Sequence, residues 1–142
     1  MKKVAMLIFS CWLFGSCTTY KPDNLPSKQL KFGSGGGMTG AVKEYVLLEN
    51  GQLFTRTTYG GDALTELPKV KKGVAKGIFK TYEKEGLNDV EVDNPGNHYC
   101  FIDMQEDDTK HHKMTWGDDE GTPAVAKSFY KQLTDLVKAQ KK

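Results

Sequence analysis

The chain has 142 residues, of which 38% are hydrophobic and 27% are charged, and its formal net charge at neutral pH is +2. This length suits one domain that buries roughly two thirds of its unfolded surface. The near balance of charge argues against a nucleic-acid-binding protein, which would carry a strong basic excess.

The first residues have the form of an export signal. Lys2 and Lys3 precede an apolar run from Val4 to Phe14, which is shorter than the roughly 20 residues that span a bilayer. Without these two lysines the 20 basic residues fall to 18, which equals the 18 acidic residues. The formal positive charge therefore belongs to the signal.

The sequence LFGSC, which ends at Cys17, closes this run and resembles the lipobox of bacterial lipoproteins. The usual box has Leu three places before the cysteine, where this chain has Phe14. The resemblance implies a signal peptide over 1–16, with lipid on the Cys17 thiol and a fatty acyl chain such as palmitate on its amine. It also implies a lipid-anchored envelope protein, facing the periplasm from the outer membrane, because Thr18 and not Asp follows the cysteine. The alternative is an ordinary signal peptide with an incidental cysteine.

The cysteines predict a domain without an internal disulfide. Cys11 leaves with the signal and Cys17 takes the lipid, so Cys100 is left without a partner in the chain. Residues 17–27 are polar, contain two prolines and predict an extended tether. Residues 28–142 then form a single domain.

Two hairpins and two helices follow a first strand over 29–32. Residues 41–48 and 52–59 flank Asn50-Gly51, which favours a two-residue type I′ turn with Leu48 opposite Leu53. Residues 98–104 and 110–116 predict a second hairpin around 105–109. The final helix has Thr122 as its cap and Pro123 in its first turn. Its apolar stripe is Val125, Phe129, Leu133 and Leu136.

The helix between the hairpins is predicted from about Thr65, with Gly86 as its stop. Its apolar residues recur every three or four positions, at Leu64, Leu67, Val70, Val74, Ile78 and Tyr82. The order of elements is strand, hairpin, helix, hairpin, helix. We therefore expect an α+β domain, with an antiparallel sheet of about five strands and both helices packed on one face.

The glycine run from Gly33 contains the pattern G-x-G-x-x-G-x-V, which resembles the glycine-rich loop of protein kinases. The other kinase motifs are absent, a dinucleotide fold needs a helix after the glycines, and no G-K-[ST] is present, so we expect no nucleotide. The run has either a structural role, with positive φ at one or more of Gly35, Gly36 and Gly37, or a binding role. The candidate binding loop is Gly35, Gly36, Gly37 and Thr39.

Histidines, the remaining cysteine and lysines offer further candidates. His98 and Cys100 share one strand face with apolar residues, which favours a structural cysteine over a catalytic pair. His111 and His112 point to opposite faces, and no metal-ligand spacing is present, so neither a metal nor a cofactor is expected. Lysines at 72, 76, 80 and 84 form an i, i+4 ladder on the middle helix. This ladder is either a solubilising face or a contact for anionic lipid or an acidic partner.

These observations favour a non-enzymatic binding or envelope-assembly module. It is held at a membrane through the lipid on Cys17, with a possible envelope protein partner and no nucleic acid. The glycine run, the NG hairpin, PGN and the late WG also resemble uncharacterised small lipoprotein domains. The alternative is a small metal-dependent or hydrolytic enzyme in which His98, His112 and Asp103 converge.

Overall fold

A computed structural model describes residues 18–117 and 121–142. The signal peptide and Cys17 lie outside these residues. Within them the chain forms seven strands, two α-helices and one 3₁₀ turn. The strands are β1 Gln29–Gly36, β2 Val42–Leu47, β3 Leu53–Thr57, β4 Thr65–Leu67, β5 Asp93–Asn94, β6 His98–Gln105 and β7 His111–Trp116, the helices are α1 Lys72–Lys84 and α2 Ala124–Gln140, and the turn is Leu87–Asp89.

The strands form one sheet in the order β4-β3-β2-β1-β6-β7-β5. All neighbours are antiparallel except β5 and β7, which are parallel. The predicted α+β class is confirmed, whereas the sheet is mixed and has two strands more than the expected five or so within the described residues. The two additional strands, β4 and β5, have three and two residues, too few for alternation to reveal them.

Both helices pack on the same face of the sheet. Alternate residues of the central strands, such as Leu30 and Phe32 of β1 and Ile102 of β6, join one buried cluster with side chains of α1 and α2. The helices contact each other there, since the rings of Tyr82 and Phe129 meet edge to face with centroids 5.7 Å apart. No helix within residues 18–117 or 121–142 is long and apolar enough to cross a membrane.

The helix α1 begins later than the prediction. Leu67 belongs to β4, where it pairs with Leu53, and Pro68 disfavours helical backbone at the residue before it. Val74, expected on the apolar stripe, is 46% exposed, while the neighbouring Ala75 is fully buried. The predicted stop is confirmed, because α1 ends at Lys84 and Gly86 adopts left-handed backbone.

The turn between β2 and β3 differs from the predicted type I′ turn. Of the residues described, only glycines have positive φ, so Asn50 does not meet the type I′ requirement, whereas Gly51 has φ +93°. The Gly51 amide donates to the Leu48 carbonyl and the Leu48 amide donates to the Gln52 carbonyl. This three-residue loop places Leu47 opposite Leu53. The predicted Leu48–Leu53 pairing was therefore wrong by one residue, which moves Leu48 to the other face.

The second hairpin and the last helix are confirmed, with changes at the helix start. Strands β6 and β7 pair as expected, with Ile102 opposite Met114. Thr122 does not cap α2, because the N-cap is Pro123 and no side chain caps the helix. Phe129 and Leu133 are buried as predicted, while Val125 and Leu136 are half-buried.

The face of the sheet opposite the helices carries a smaller apolar cluster. Val46, Leu48 and Phe54 are buried there, and Tyr20 and Leu25 from the N-terminal segment pack against them. Residues 18–27, which the sequence predicts as part of a tether, thus lie against the sheet.

Candidate functional site

A cleft of about 610 Å³ opens on the helix side of the sheet, at the end where β1, β3 and β7 finish and β2 and β6 begin. The first turns of α2 contribute to its wall. It is lined by Ser34, Gly35, Gly36, Ala41, Lys43, Thr57, His98, Tyr99, Cys100, Trp116, Gly117, Lys127 and Tyr130. Its volume falls in the range of about 300–1,000 Å³ that is usual for small-molecule sites.

The cleft exists because the strand face that builds the core becomes polar at this end. Along β1, side chains alternate, so Leu30, Phe32 and Ser34 share the helix side. The first two are buried, whereas Ser34 is exposed. In β2 and β3 the exposed Lys43 and Thr57 are paired in register at the same end. These polar positions form the floor of the cleft.

Two aromatic residues connect α2 to this floor. The Tyr130 hydroxyl donates a hydrogen bond of 3.0 Å to the Gly33 carbonyl oxygen. The ring of Trp116 meets that of Tyr130 edge to face, with centroids 5.5 Å apart. Burial raises the pKa of the Tyr130 hydroxyl well above its usual value, and the neighbouring Cys100 raises it further. Tyr130 is therefore a neutral hydrogen-bond donor at neutral pH.

The glycine run forms the rim of the cleft and has the predicted backbone character. Gly36 has φ +103° and Gly37 has φ +78°, which confirms positive φ in the run. A Cβ on Gly36 would lie 2.0 Å from the Asn97 carbonyl oxygen. Gly35 lacks positive φ, but a Cβ there would lie 2.7 Å from the Tyr99 hydroxyl oxygen. Three of the glycines, Gly33, Gly35 and Gly36, pair inside β1, so the first strand is longer than the predicted 29–32.

Only part of the predicted binding loop lines the cleft. Gly35 and Gly36 do, whereas Gly37 and the exposed Thr39 lie beyond it. The Gly40 amide donates to the Gly37 carbonyl, which closes a turn over these residues. The beginning of the run is thus part of the site and its end is a connection between strands.

The histidines and Asp103 are dispersed. His98 lines the cleft beside Cys100, whereas the Nδ1 atom of His112 lies 2.7 Å from the Tyr82 hydroxyl at the other end of the β6–β7 hairpin. Asp103 faces away from the helices, with its Oδ1 3.5 Å from the His111 Nδ1. The structure therefore does not bring His98, His112 and Asp103 together. Within the described residues, no three His, Cys, Asp or Glu side chains are placed to hold a metal.

The chemistry of the cleft is that of a hydrogen-bond donor site. Lys43 and Lys127 contribute ammonium groups, and Ser34 and Thr57 contribute hydroxyls. No carboxylate is among the described residues that line it; Asp118, Asp119 and Glu120 follow Gly117 in the sequence and lie outside those residues. Such donors favour a ligand with carboxylate, phosphate or carbonyl oxygens.

Sequence reasoning missed most of these residues. Ser34 and Lys43 could have been found as polar residues that continue the core-facing alternation of Phe32 and Tyr45. Tyr130 and Lys127 gave no such signal, because their helix meets the glycine strand only in the tertiary fold: Tyr130 and Gly33 are 97 positions apart.

Fold and cleft together define a small α+β protein with an open polar site at one end of its sheet. No protein-family model matches the sequence, and no curated protein is significantly similar to it.

Proposed function

We propose that this protein is a lipoprotein anchored through Cys17, facing the periplasm from the outer membrane, that presents the cleft as a non-enzymatic binding site. The cleft of about 610 Å³ carries the proposal, because polar side chains from several strands converge there with Trp116 and with Lys127 of α2. The lipobox-like LFGSC supports the anchor.

The bound molecule is an envelope component that offers oxygen acceptors, as a soluble ligand or as part of a protein partner. Trp116 is 5% exposed and gives the site an apolar wall. Lys43 and Lys127 supply charge-assisted hydrogen bonds, which are about twice as strong as neutral ones. A catalytic role has less support, because His98 lies apart from both Asp103 and His112.

We expect Cys17→Ser to abolish lipid attachment. The thiol of Cys17 is the only acceptor for diacylglycerol under this proposal, since Cys11 lies within the signal. Cells fed an alkynyl fatty acid should label the unmodified protein and the Cys11→Ser control but not Cys17→Ser. Labelling that persists in Cys17→Ser would reject the anchor.

Capture of the ligand tests the cleft. Loss of two charge-assisted hydrogen bonds, each contributing about 1.5–3 kcal/mol, should weaken binding by at least about tenfold. Three forms of the acylated protein should each be cross-linked in native envelopes and purified. They are the unmodified protein, the cleft variant Lys43→Ala/Lys127→Ala and the control variant Lys84→Ala/Lys138→Ala. Mass spectrometry of the captured metabolites and proteins should show one species that the control retains and the cleft variant loses. Equal capture by both variants would mean that the cleft is not the site.

A further inference from the structure

A second polar surface lies where the described chain begins. Lys69, Lys72 and Lys76, which we call the basic surface, line a cavity of about 370 Å³ together with Thr18 and Thr19. Lys28 and Glu49 also line it and form an ion pair of 2.9 Å with each other. Within residues 18–117 and 121–142, the lysines of the basic surface have no carboxylate within 4.0 Å.

Hydrogen bonds fix the start of the described chain beside this surface. The Asn50 amide Nδ2 donates to the Thr18 carbonyl oxygen over 2.8 Å. Two residues later, the Tyr20 amide donates to the Gln52 Oε1, and the Gln52 Nε2 donates back to the Tyr20 carbonyl. The position of Thr18 is therefore set by the β2–β3 turn.

The same turn holds the lysines. The Val70 amide donates to the Gly51 carbonyl oxygen over 2.8 Å, which ties the segment before α1 to the turn. Lys69 precedes this bond, Lys72 begins α1, and Lys76 lies one helical turn further on the same side. Thr18 and the basic surface are thus parts of one edge of the molecule.

Helix stability does not account for these lysines. The first turn of α1 contains no acidic residue, and no side chain caps its start. Cations near a helix N-terminus are unfavourable because they meet the positive end of the helix dipole. Residues that contravene a local preference in this way are characteristic of functional surfaces.

We infer that the basic surface binds the phosphate-bearing head groups of anionic phospholipids in the membrane that holds the anchor, and so orients the domain. This inference rests on the proposed acylation of Cys17. The α-carbon of Thr18 is about 3.8 Å from that of a lipid-bearing residue before it, so the lysines beside Thr18 are brought to head-group level. Lysines near an anionic surface gain binding free energy within about one Debye length of it, ~10 Å at moderate salt.

The same orientation of the domain determines where the cleft lies relative to the bilayer. Lys43 lies at the opposite end of the β2–β3 hairpin from the turn that holds Thr18. Five residue steps separate Lys43 in β2 from Leu48 at the start of the turn, which corresponds to roughly 17 Å at about 3.4 Å per residue. Docking of the basic surface therefore turns the cleft away from the bilayer and toward its soluble ligand or partner.

The test uses acylated full-chain protein purified from membranes and reconstituted in vesicles of phosphatidylcholine, alone or with phosphatidylglycerol. Site-resolved amine labelling, read by mass spectrometry, reports the accessibility of each lysine. With phosphatidylglycerol, labelling of Lys69, Lys72 and Lys76 should slow by roughly fivefold each. The controls Lys113 and Lys127 should be unchanged. Protection should disappear at molar salt, where the Debye length falls to about 3 Å.

The other outcomes separate the possible failures. Protein that floats with the vesicles but shows equal labelling of the basic surface in both lipids would overturn this inference alone. Protection in neutral vesicles by millimolar inorganic phosphate, equal to that by phosphatidylglycerol, would assign the surface to soluble phosphate and would also overturn it. Protein that fails to float with either vesicle would overturn the anchor, and this inference with it.

Discussion

Replacing Gly36 with Ala should destabilise the domain by about 3 kcal/mol or more. Two costs add together, because a side chain at positive φ is strained and the added methyl group also overpacks its surroundings. Gly36 has φ +103°, and its added Cβ would lie 2.0 Å from the Asn97 carbonyl oxygen. That oxygen belongs to the backbone and cannot rotate away.

The surrounding hydrogen bonds leave little room for relaxation. The Gly36 amide donates to the Ala41 carbonyl, and the Gly37 amide donates over 2.8 Å to the same Asn97 oxygen that the Cβ would strike. A shift of Gly36 would therefore break the closure of the glycine run and the end of the β1–β6 ladder, where Gly36 is in register with His98.

Urea unfolding followed by circular dichroism measures the effect, and two other glycines serve as controls. Gly40→Ala introduces the positive-φ strain without a clash, because φ is +61° and nothing lies within 4 Å, so its cost should be about 1 kcal/mol. Gly73→Ala lies in α1 with open space around it and should gain up to about 1 kcal/mol. If Gly36→Ala cost no more than Gly40→Ala, close approach of the backbone would not explain this glycine.

The prediction also bears on the function of the run. A glycine that is required by the β1–β6 closure has a structural reason to be there, so the run by itself does not indicate a ligand. What indicates a ligand is the set of side chains that line the cleft beside the run, including Lys43, Lys127 and Tyr130.

Long periodic elements could be read from the sequence, whereas short and context-dependent ones could not. The helix α2 and the β6–β7 hairpin combine clear apolar periods with turn residues, so their positions were close to those found. The register of β2 with β3 depends on the length of the hairpin loop. Asn50-Gly51 fits both the two-residue loop that was predicted and the three-residue loop that is found. The contact of residues 18–27 with the sheet rests on Tyr20 and Leu25, whose local sequence is polar and carries no period.

The candidate site was predictable only where one local motif contributed to it. Gly35 and Gly36 were found because a glycine run is visible in any sequence. Trp116 and Tyr130 were not found, because their role depends on the packing of α2 against the end of the sheet. Conversely, His112 and Asp103 looked suitable for chemistry as residue types, but strand alternation places them on opposite faces.

The second large effect should come from Gln52, the residue that binds the N-terminal segment to the sheet. Its side chain is fully buried and makes four hydrogen bonds. It accepts from the Tyr20 amide and the Asn50 Nδ2, and donates to the Tyr20 carbonyl and the Glu66 Oε1. Gln52→Ala removes all four and leaves both backbone groups of Tyr20 without these partners. Because Tyr20 is half-buried, each group should cost about 1–2 kcal/mol, the lower part of the range for an unsatisfied group, which gives about 2–4 kcal/mol in total.

Gln52→Ala should detach the N-terminal segment locally as well as lower the free energy of unfolding of the whole domain. Without Gln52, residues 18–27 should separate from the sheet and expose Val46, Leu48 and Phe54, the apolar cluster that they cover. Hydrogen exchange should show faster exchange at the Tyr20 amide, and denaturant unfolding should show the reduced stability. The control Gln132→Ala changes an exposed glutamine on α2 and should leave both measurements unchanged. Because Thr18 would then depend on its hydrogen bond to Asn50, whose side chain Gln52 also contacts, protection of Lys69, Lys72 and Lys76 by phosphatidylglycerol should also weaken. If the Tyr20 amide kept its slow exchange in Gln52→Ala, the N-terminal segment would be held by its apolar contacts alone, and the orienting role of these hydrogen bonds would be wrong.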